Sequence, residues 1–237
     1  MKTEIDLRRD VLDELEWDPS IDAAQVGVTV KEGVVTLTGH VPHFAEKFAV
    51  EEVAKRVHGV RAVANDIEVR PQESHQRDDT DIAAAAVHAL EWDPKVPDPW
   101  IQVTVRDGWI TLEGSVEHQF EKAAADRAVR RLIGSRGLTN AILVAPGQRA
   151  GEPAPRRGDE LRADIEAALK RSASVDSRQI TVEIESDGEV VLTGDLHSHA
   201  ELDEAERIAW TARGVARVDN CLTVTPWGSG PADEWGY

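Results

Sequence analysis

The residues best suited to chemistry in this sequence are its histidines. His40, His43 and His58 lie in the first third of the chain, His118 in the second, and His197-Ser198-His199 in the last. Neutral imidazoles are common zinc ligands, but a zinc centre needs three or four ligands at a recognised spacing, and no such cluster accompanies these groups. The lone thiol, Cys221, sits beside Leu222 and Val224. An apolar run of that kind predicts a buried, inert sulfur rather than a nucleophile. Carboxylates are abundant without forming a recurring pair. No Gly-x-Ser-x-Gly elbow, no phosphate loop and no cysteine with a recurring histidine is present, so the expectation is no catalytic residue, no metal and no cofactor.

The elements that would have to position any site are a unit built three times. Gly33-Val34-Val35-Thr36-Leu37-Thr38-Gly39 returns as Gly108-Trp109-Ile110-Thr111-Leu112-Glu113-Gly114 and as Gly188-Glu189-Val190-Val191-Leu192-Thr193-Gly194. Units one and two align at an offset of 75 without a gap; unit three aligns at 154 up to Ile184 and at 155 from Gly188. The extra residue therefore falls in Glu185-Ser186-Asp187-Gly188, a turn, where an insertion costs least. The repeat also tests the histidines. His43 and His118 coincide, but Ser198 stands in the third copy, and each precedes a glutamate (Glu46, Glu121, Glu201) by three residues. That is a capping-box spacing, so these positions read as helix N-caps in preference to metal ligands.

Within unit one, Leu7, Val11, Leu12 and Leu15 share a helical face, Thr3 with Asp6 resembles a capping pair, and Asp18-Pro19 stops the helix. Val26, Val28 and Val30 alternate with polar residues as in a half-buried strand. Lys31-Glu32-Gly33 then turns the chain into a second strand carrying Val35 and Leu37. Glu46 to Val57 reads as a second helix buried through Val50, Val53, Ala54 and Val57, and Val63, Ile67 and Val69 as a third strand. In unit two, Ile82, Val87 and Leu90 take the places of Leu7, Leu12 and Leu15.

Each unit carries a third glycine, Gly59, Gly134 or Gly214, placed to end the second helix in the left-handed conformation. An asparagine also recurs as Asn65, Asn140 and Asn220, for which a bulge or a side-chain to backbone bond is expected. Arg70 to Asp79 and Ala145 to Gly158 read as linkers, and the tail from Trp227 as disordered apart from any docking by Trp227 or Trp235. The predicted organisation is α+β: three tandem αββαβ units over residues 1–70, 78–146 and 157–226, each a three-stranded mixed sheet with two helices on one face.

Charge narrows the partners. The formal net charge is −17 and is distributed over all three units, so binding that depends on neutralising phosphates is disfavoured and no nucleic-acid partner is expected. Attraction to anionic lipid by charge alone is disfavoured for the same reason. With 41% hydrophobic and 30% charged residues the chain is too polar for a transmembrane segment. One cysteine allows no internal disulfide, and Met1-Lys2-Thr3-Glu4-Ile5-Asp6 lacks the apolar run of a secretion signal. The sequence as it stands reads as cytoplasmic, and as periplasmic only if a signal has been removed.

The order helix, strand, strand, helix, strand with Gly33, Gly39 and Gly59, together with Val28, Val30, Val35, Leu37, Val60 and Val63 and their counterparts, resembles the BON domain (bacterial OsmY and nodulation). The resemblance covers nearly the whole chain as three copies. It implies a non-enzymatic role in bacterial envelope maintenance or osmotic stress, with phospholipid as a proposed ligand. A third unit and the missing export signal depart from the periplasmic members of that family.

The tryptophans are the remaining candidates for contact. Trp17 and Trp92 coincide at the end of the first helix, each followed by Asp-Pro, where unit three has Ser172; Trp100 and Trp109 add two more in unit two. They either cover a thin core or an interface between units or chains, or offer an amphipathic surface to a phospholipid or protein partner. Three functions follow: a binding or scaffolding module, a self-associating structural module whose aromatics form interfaces, and, least favoured, metal or hydrolytic chemistry at an inter-unit cleft. Exposure of Trp17 and Trp92 favours the first and burial the second.

Overall fold

The computed structural model of the protein describes residues 3–72, 76–147, 156–185 and 188–225. The central residues of both linkers, the turn residues Ser186 and Asp187, and the tail with Trp227 and Trp235 lie outside the described residues.

Each unit opens with a helix: α1 (Glu4–Trp17), α3 (Asp79–Trp92) and α5 (Gly158–Arg171). The first is set by a reciprocal cap in which Thr3 Oγ1 accepts the Asp6 N–H at 3.2 Å and the Asp6 carboxylate accepts the Thr3 N–H at 3.3 Å. In unit two Asp78 caps alone, accepting the Asp81 N–H at 2.7 Å. Leu7, Val11 and Leu15 are buried, as are Ile82, Ala86 and Leu90, and Leu161, Ile165 and Leu169. Val87 is a correction to the expected stripe. It is 44% exposed, and Ala86, the counterpart of Val11, takes the inner position, because residues four apart (82, 86, 90) share the face that meets the sheet.

The hairpins are β1 (Val26–Lys31) with β2 (Val34–Val41), β5 (Ile101–Arg106) with β6 (Trp109–Val116), and β8 (Ile180–Ile184) with β9 (Glu189–Leu196). Lys31 pairs with Val34 across Glu32 (φ 52°) and Gly33 (φ 79°); Asp107 (φ 51°) and Gly108 (φ 77°) repeat this. Two positive φ angles are what a type I′ turn needs to follow the strand twist. In unit three Ile180 pairs with Gly194 and Ile184 with Val190, which puts the one extra residue inside the turn.

At the far end of each second strand the backbone of the preceding 3-10 turn comes too close for a side chain. A Cβ on Gly39 (φ 117°) would lie 2.0 Å from the Gln25 carbonyl oxygen; on Gly114 and Gly194 the distances to the Trp100 and Gln179 oxygens are 2.1 and 1.9 Å. Glycine is required there by contact as well as by conformation.

The second helices, α2 (Phe44–Arg56), α4 (Gln119–Arg130) and α6 (His199–Thr211), carry the chain across to a strand parallel to the second. In units two and three this is β7 (Gly137–Val144) and β10 (Arg217–Val224); in unit one it is two segments, β3 (Ala62–Asn65) and β4 (Glu68–Val69), both paired with β2. The three sheets are thus mixed, each with its second strand central. Both helices of a unit pack on the same sheet face: α1 and α2 meet Val28, Val35 and Leu37 in one core, and the other two units repeat the arrangement. Among the described residues no core cluster spans two units, and each unit has its own thin core.

The recurring asparagine ties the second helix to the third strand. Asn65 and Asn140 donate to the Lys47 and Lys122 carbonyls at 3.2 and 3.0 Å, while their side-chain oxygens accept the N–H of Ile67 and Ile142. Asn220 uses the Glu206 carboxylate at 2.9 Å and the Leu222 N–H instead. Cys221 corrects a second expectation: it is exposed, because Leu222 points into the core and its strand neighbour must point away.

Candidate binding surface and the junction of the three units

All four tryptophans singled out in the sequence remain accessible once the units are packed: Trp17 is 83% exposed, Trp92 76%, Trp100 66% and Trp109 49%. Trp17 and Trp92 are the last residues of α1 and α3. Each lies two residues beyond the last buried leucine, Leu15 or Leu90, which turns it off the core face. Trp92 makes an edge contact with His88, ring centroids 5.5 Å apart. Trp109 lies flat on its own sheet, its indole N–H donating to Thr139 Oγ1 at 2.9 Å and its ring covering Gly137, where a Cβ would come within 2.3 Å of it.

His43 and His118 are helix-end residues, whereas His40 lies within β2, paired with Glu68. His43, His118 and Ser198 occupy the N-caps of α2, α4 and α6. Ser198 Oγ accepts the Glu201 N–H at 3.2 Å, and the Glu121 carboxylate accepts the N–H groups of Glu117 and His118 at 2.9 and 3.0 Å. Among the described residues no three His, Cys, Asp or Glu side chains converge as metal ligands, and no helix is long and apolar enough to cross a membrane.

What the sequence did not single out is the contact between units, made by the second helices. α6 packs against both α2 and α4. The Arg130 guanidinium of α4 lies 3.5 Å from the centroid of the Phe48 ring of α2. Repeat offsets give Arg130 the counterparts Lys55 and Trp210, and Phe48 the counterparts Ala123 and Asp203. Lys55 acts electrostatically on the carboxylate of Asp203, and Trp210 and Ala123 line one cleft. Unit two therefore meets unit one through Arg130 and Phe48, unit one meets unit three where Lys55 acts on Asp203, and units three and two face each other across the cleft that Trp210 and Ala123 line.

The outward residue of each pair is steadied from its own helix one turn earlier. Glu51 pairs with Lys55 at 2.7 Å, Asp126 with Arg130, and Glu206 accepts the Trp210 indole N–H at 3.4 Å. Burial works against the charge of Glu51, but hydrogen bonds from Lys55 and Asn65 outweigh it and hold the carboxyl below its usual range. At Asp203 the balance is reversed: burial, then the charge of Glu52, pushes the carboxyl up.

The BON domain family model matches residues 4–71, 78–146 and 158–226. The osmotically-inducible protein Y of Escherichia coli (strain K12) is 34% identical over 148 residues, covering 61% of this chain and 72% of that protein. A solved structure of CdsD, a structural protein of the type III secretion system of Chlamydia trachomatis, shares 16% identity over 94% of both chains with a TM-score of 0.27. The C-terminal domain of CdsD gives 17%, 95% of this chain, 100% of that one and 0.25. Three consecutive family matches over a thrice-repeated αββαβ unit place the chain in the BON domain family, of which it is a three-copy member.

Proposed function

We propose that this protein is a non-enzymatic binding module of osmotic-stress physiology that contacts a phospholipid interface through the ends of its first helices. The observation that carries this reading is the exposure of Trp17 and Trp92 while the second helices are taken up by contacts between units. An indole at 83% exposure on a helix end inserts its ring into the headgroup region while its N–H stays solvated. The acidic surface selects against anionic bilayers, so the interface favoured is zwitterionic. Support for the physiological setting is the similarity to the osmotically-inducible protein Y.

Flotation with phosphatidylcholine vesicles, followed by tryptophan emission, tests it. Co-flotation with a blue shift that Trp17→Ser/Trp92→Ser removes is the expected result. No flotation and no shift at low salt would defeat the lipid reading. Concentration-dependent association of the chain, abolished by the same substitutions, would favour the self-associating alternative.

A further inference from the structure

The contacts between the second helices are unequal. Where unit two meets unit one, Phe48 fills the space beneath Arg130. Where unit three meets unit two, the residue at Phe48's repeat position is Ala123, and a cleft of about 940 Å³ opens beside Trp210. That volume lies within the roughly 300–1,000 Å³ of small-molecule sites, which favour boundaries between domains. Phe48 and Glu52 of unit one reach the same cleft, so all three units line it, and at the repeat position of Phe48 unit two presents only the Ala123 methyl. Its apolar wall is Trp210, Phe120, Phe48 and Ala123.

The carboxylates that line it are engaged. Glu52 is held by Lys55 at 3.2 Å, Glu206 accepts from Asn220 at 2.9 Å, Glu117 accepts the Gly147 N–H at 3.1 Å, and Asp203 lies in the field of Lys55. Arg207 is engaged by Glu204 at 2.7 Å. Arg127 and Arg213 also line the cleft, and neither forms an ion pair among the described residues. A guanidinium without a carboxylate, exposed in the lining of an aromatic-walled cleft, matches an acid group carried on an apolar body.

We propose that this cleft binds a small amphipathic anion, with the apolar body against Trp210, Phe120 and Ala123 and the acid head at Arg127 and Arg213. The site is separate from the Trp17 and Trp92 surface and does not depend on it.

Calorimetric titration of the full chain with octanoate, decanoate and dodecanoate below their micellar concentrations tests the assignment. Saturable binding at one site is expected, tightening roughly three- to fourfold per added methylene. Arg127→Gln/Arg213→Gln, at two exposed positions, is expected to weaken it about tenfold or more. Ala123→Phe, which puts at this position the side chain found at Phe48, is expected to abolish it, while Trp17→Ser/Trp92→Ser leaves it unchanged. Equal affinity for dodecyltrimethylammonium, no saturable binding, or binding indifferent to the arginine pair would overturn the proposal. The arginine variant decides the matter even if Ala123→Phe disturbs the junction.

Discussion

The guanidinium of Arg130 stacks 3.5 Å from the centroid of the Phe48 ring and so joins the second unit to the first. Both Arg130 and its partner Asp126 are largely shielded, at 22% and 19% side-chain exposure, so the cation is partly desolvated where it meets the ring. A double-mutant cycle of Phe48→Leu and Arg130→Gln, read by urea denaturation, should give a coupling of about 1 kcal/mol. Additive losses would mean the stack contributes nothing to the junction.

Asn140 supports a joint inside one unit. Replacing it by alanine leaves the Lys122 carbonyl and the Ile142 N–H without their side-chain partners. A loss of about 1–3 kcal/mol is expected, confined to unit two because each core is built from one unit. Hydrogen exchange at the Ile142 amide should accelerate while amides of β2 and β9 do not. Uniform acceleration across all three units would contradict separate cores.

Gly114→Ala places a Cβ 2.1 Å from the Trp100 carbonyl oxygen at a φ of 133°. A cost of at least about 2 kcal/mol in unit two is expected, since neither the backbone nor the neighbouring turn can yield cheaply. Gly158→Ala meets nothing within 4 Å, although its φ is 58°, and should cost only about 1 kcal/mol. Thermal melting of the two variants side by side checks the ranking.

Asp203 gives a pH signature. Burial, then Glu52 and more weakly Glu206, raise its carboxyl above the ordinary 3.8, while Lys55 and His199 oppose them. The folded state binds this proton more tightly than the unfolded state, so ionised Asp203 subtracts stability at neutral pH. That subtraction disappears as pH falls through the raised folded value. Glu51 runs the other way: its contribution is present above the ordinary 4.5 and is lost as pH falls through the depressed folded value. Asp203→Asn should therefore be the more stable protein at pH 7, by about 0.5 kcal/mol or less after screening. The difference should narrow as pH falls toward the ordinary carboxylate range. A variant less stable at pH 7 would show that the attraction to Lys55 outweighs the burial.

The unit was legible because its signals are local and repeat. Lys31-Glu32-Gly33 between alternating valines specifies a two-residue turn, and an asparagine returning at one strand position points to a side-chain bond. Cys221 departs from the expectation because strand phase, not the apolar character of its neighbours, sets its side and turns 221 opposite to 222. The junction was not legible. Phe48, Arg130, Asp203 and Trp210 lie on three helices far apart in sequence, and a contact between units leaves no period in any one of them. Their meaning appears only when repeat positions are paired across space: the same pair is cation and ring, cation and carboxylate, indole and methyl.

That asymmetry also bears on Trp17 and Trp92, whose counterpart in unit three is Ser172. If the indoles served the fold, unit three would need one, yet its first helix is closed over Leu161, Ile165 and Leu169 without it. Trp17→Ser and Trp92→Ser should therefore change stability by less than about 0.5 kcal/mol each, as expected for exposed positions without partners in the core. Urea denaturation reads this directly. A loss of about 2 kcal/mol at either site would show that the ring covers its own unit after all, and would remove the reason for treating the first-helix ends as a surface kept open for a ligand.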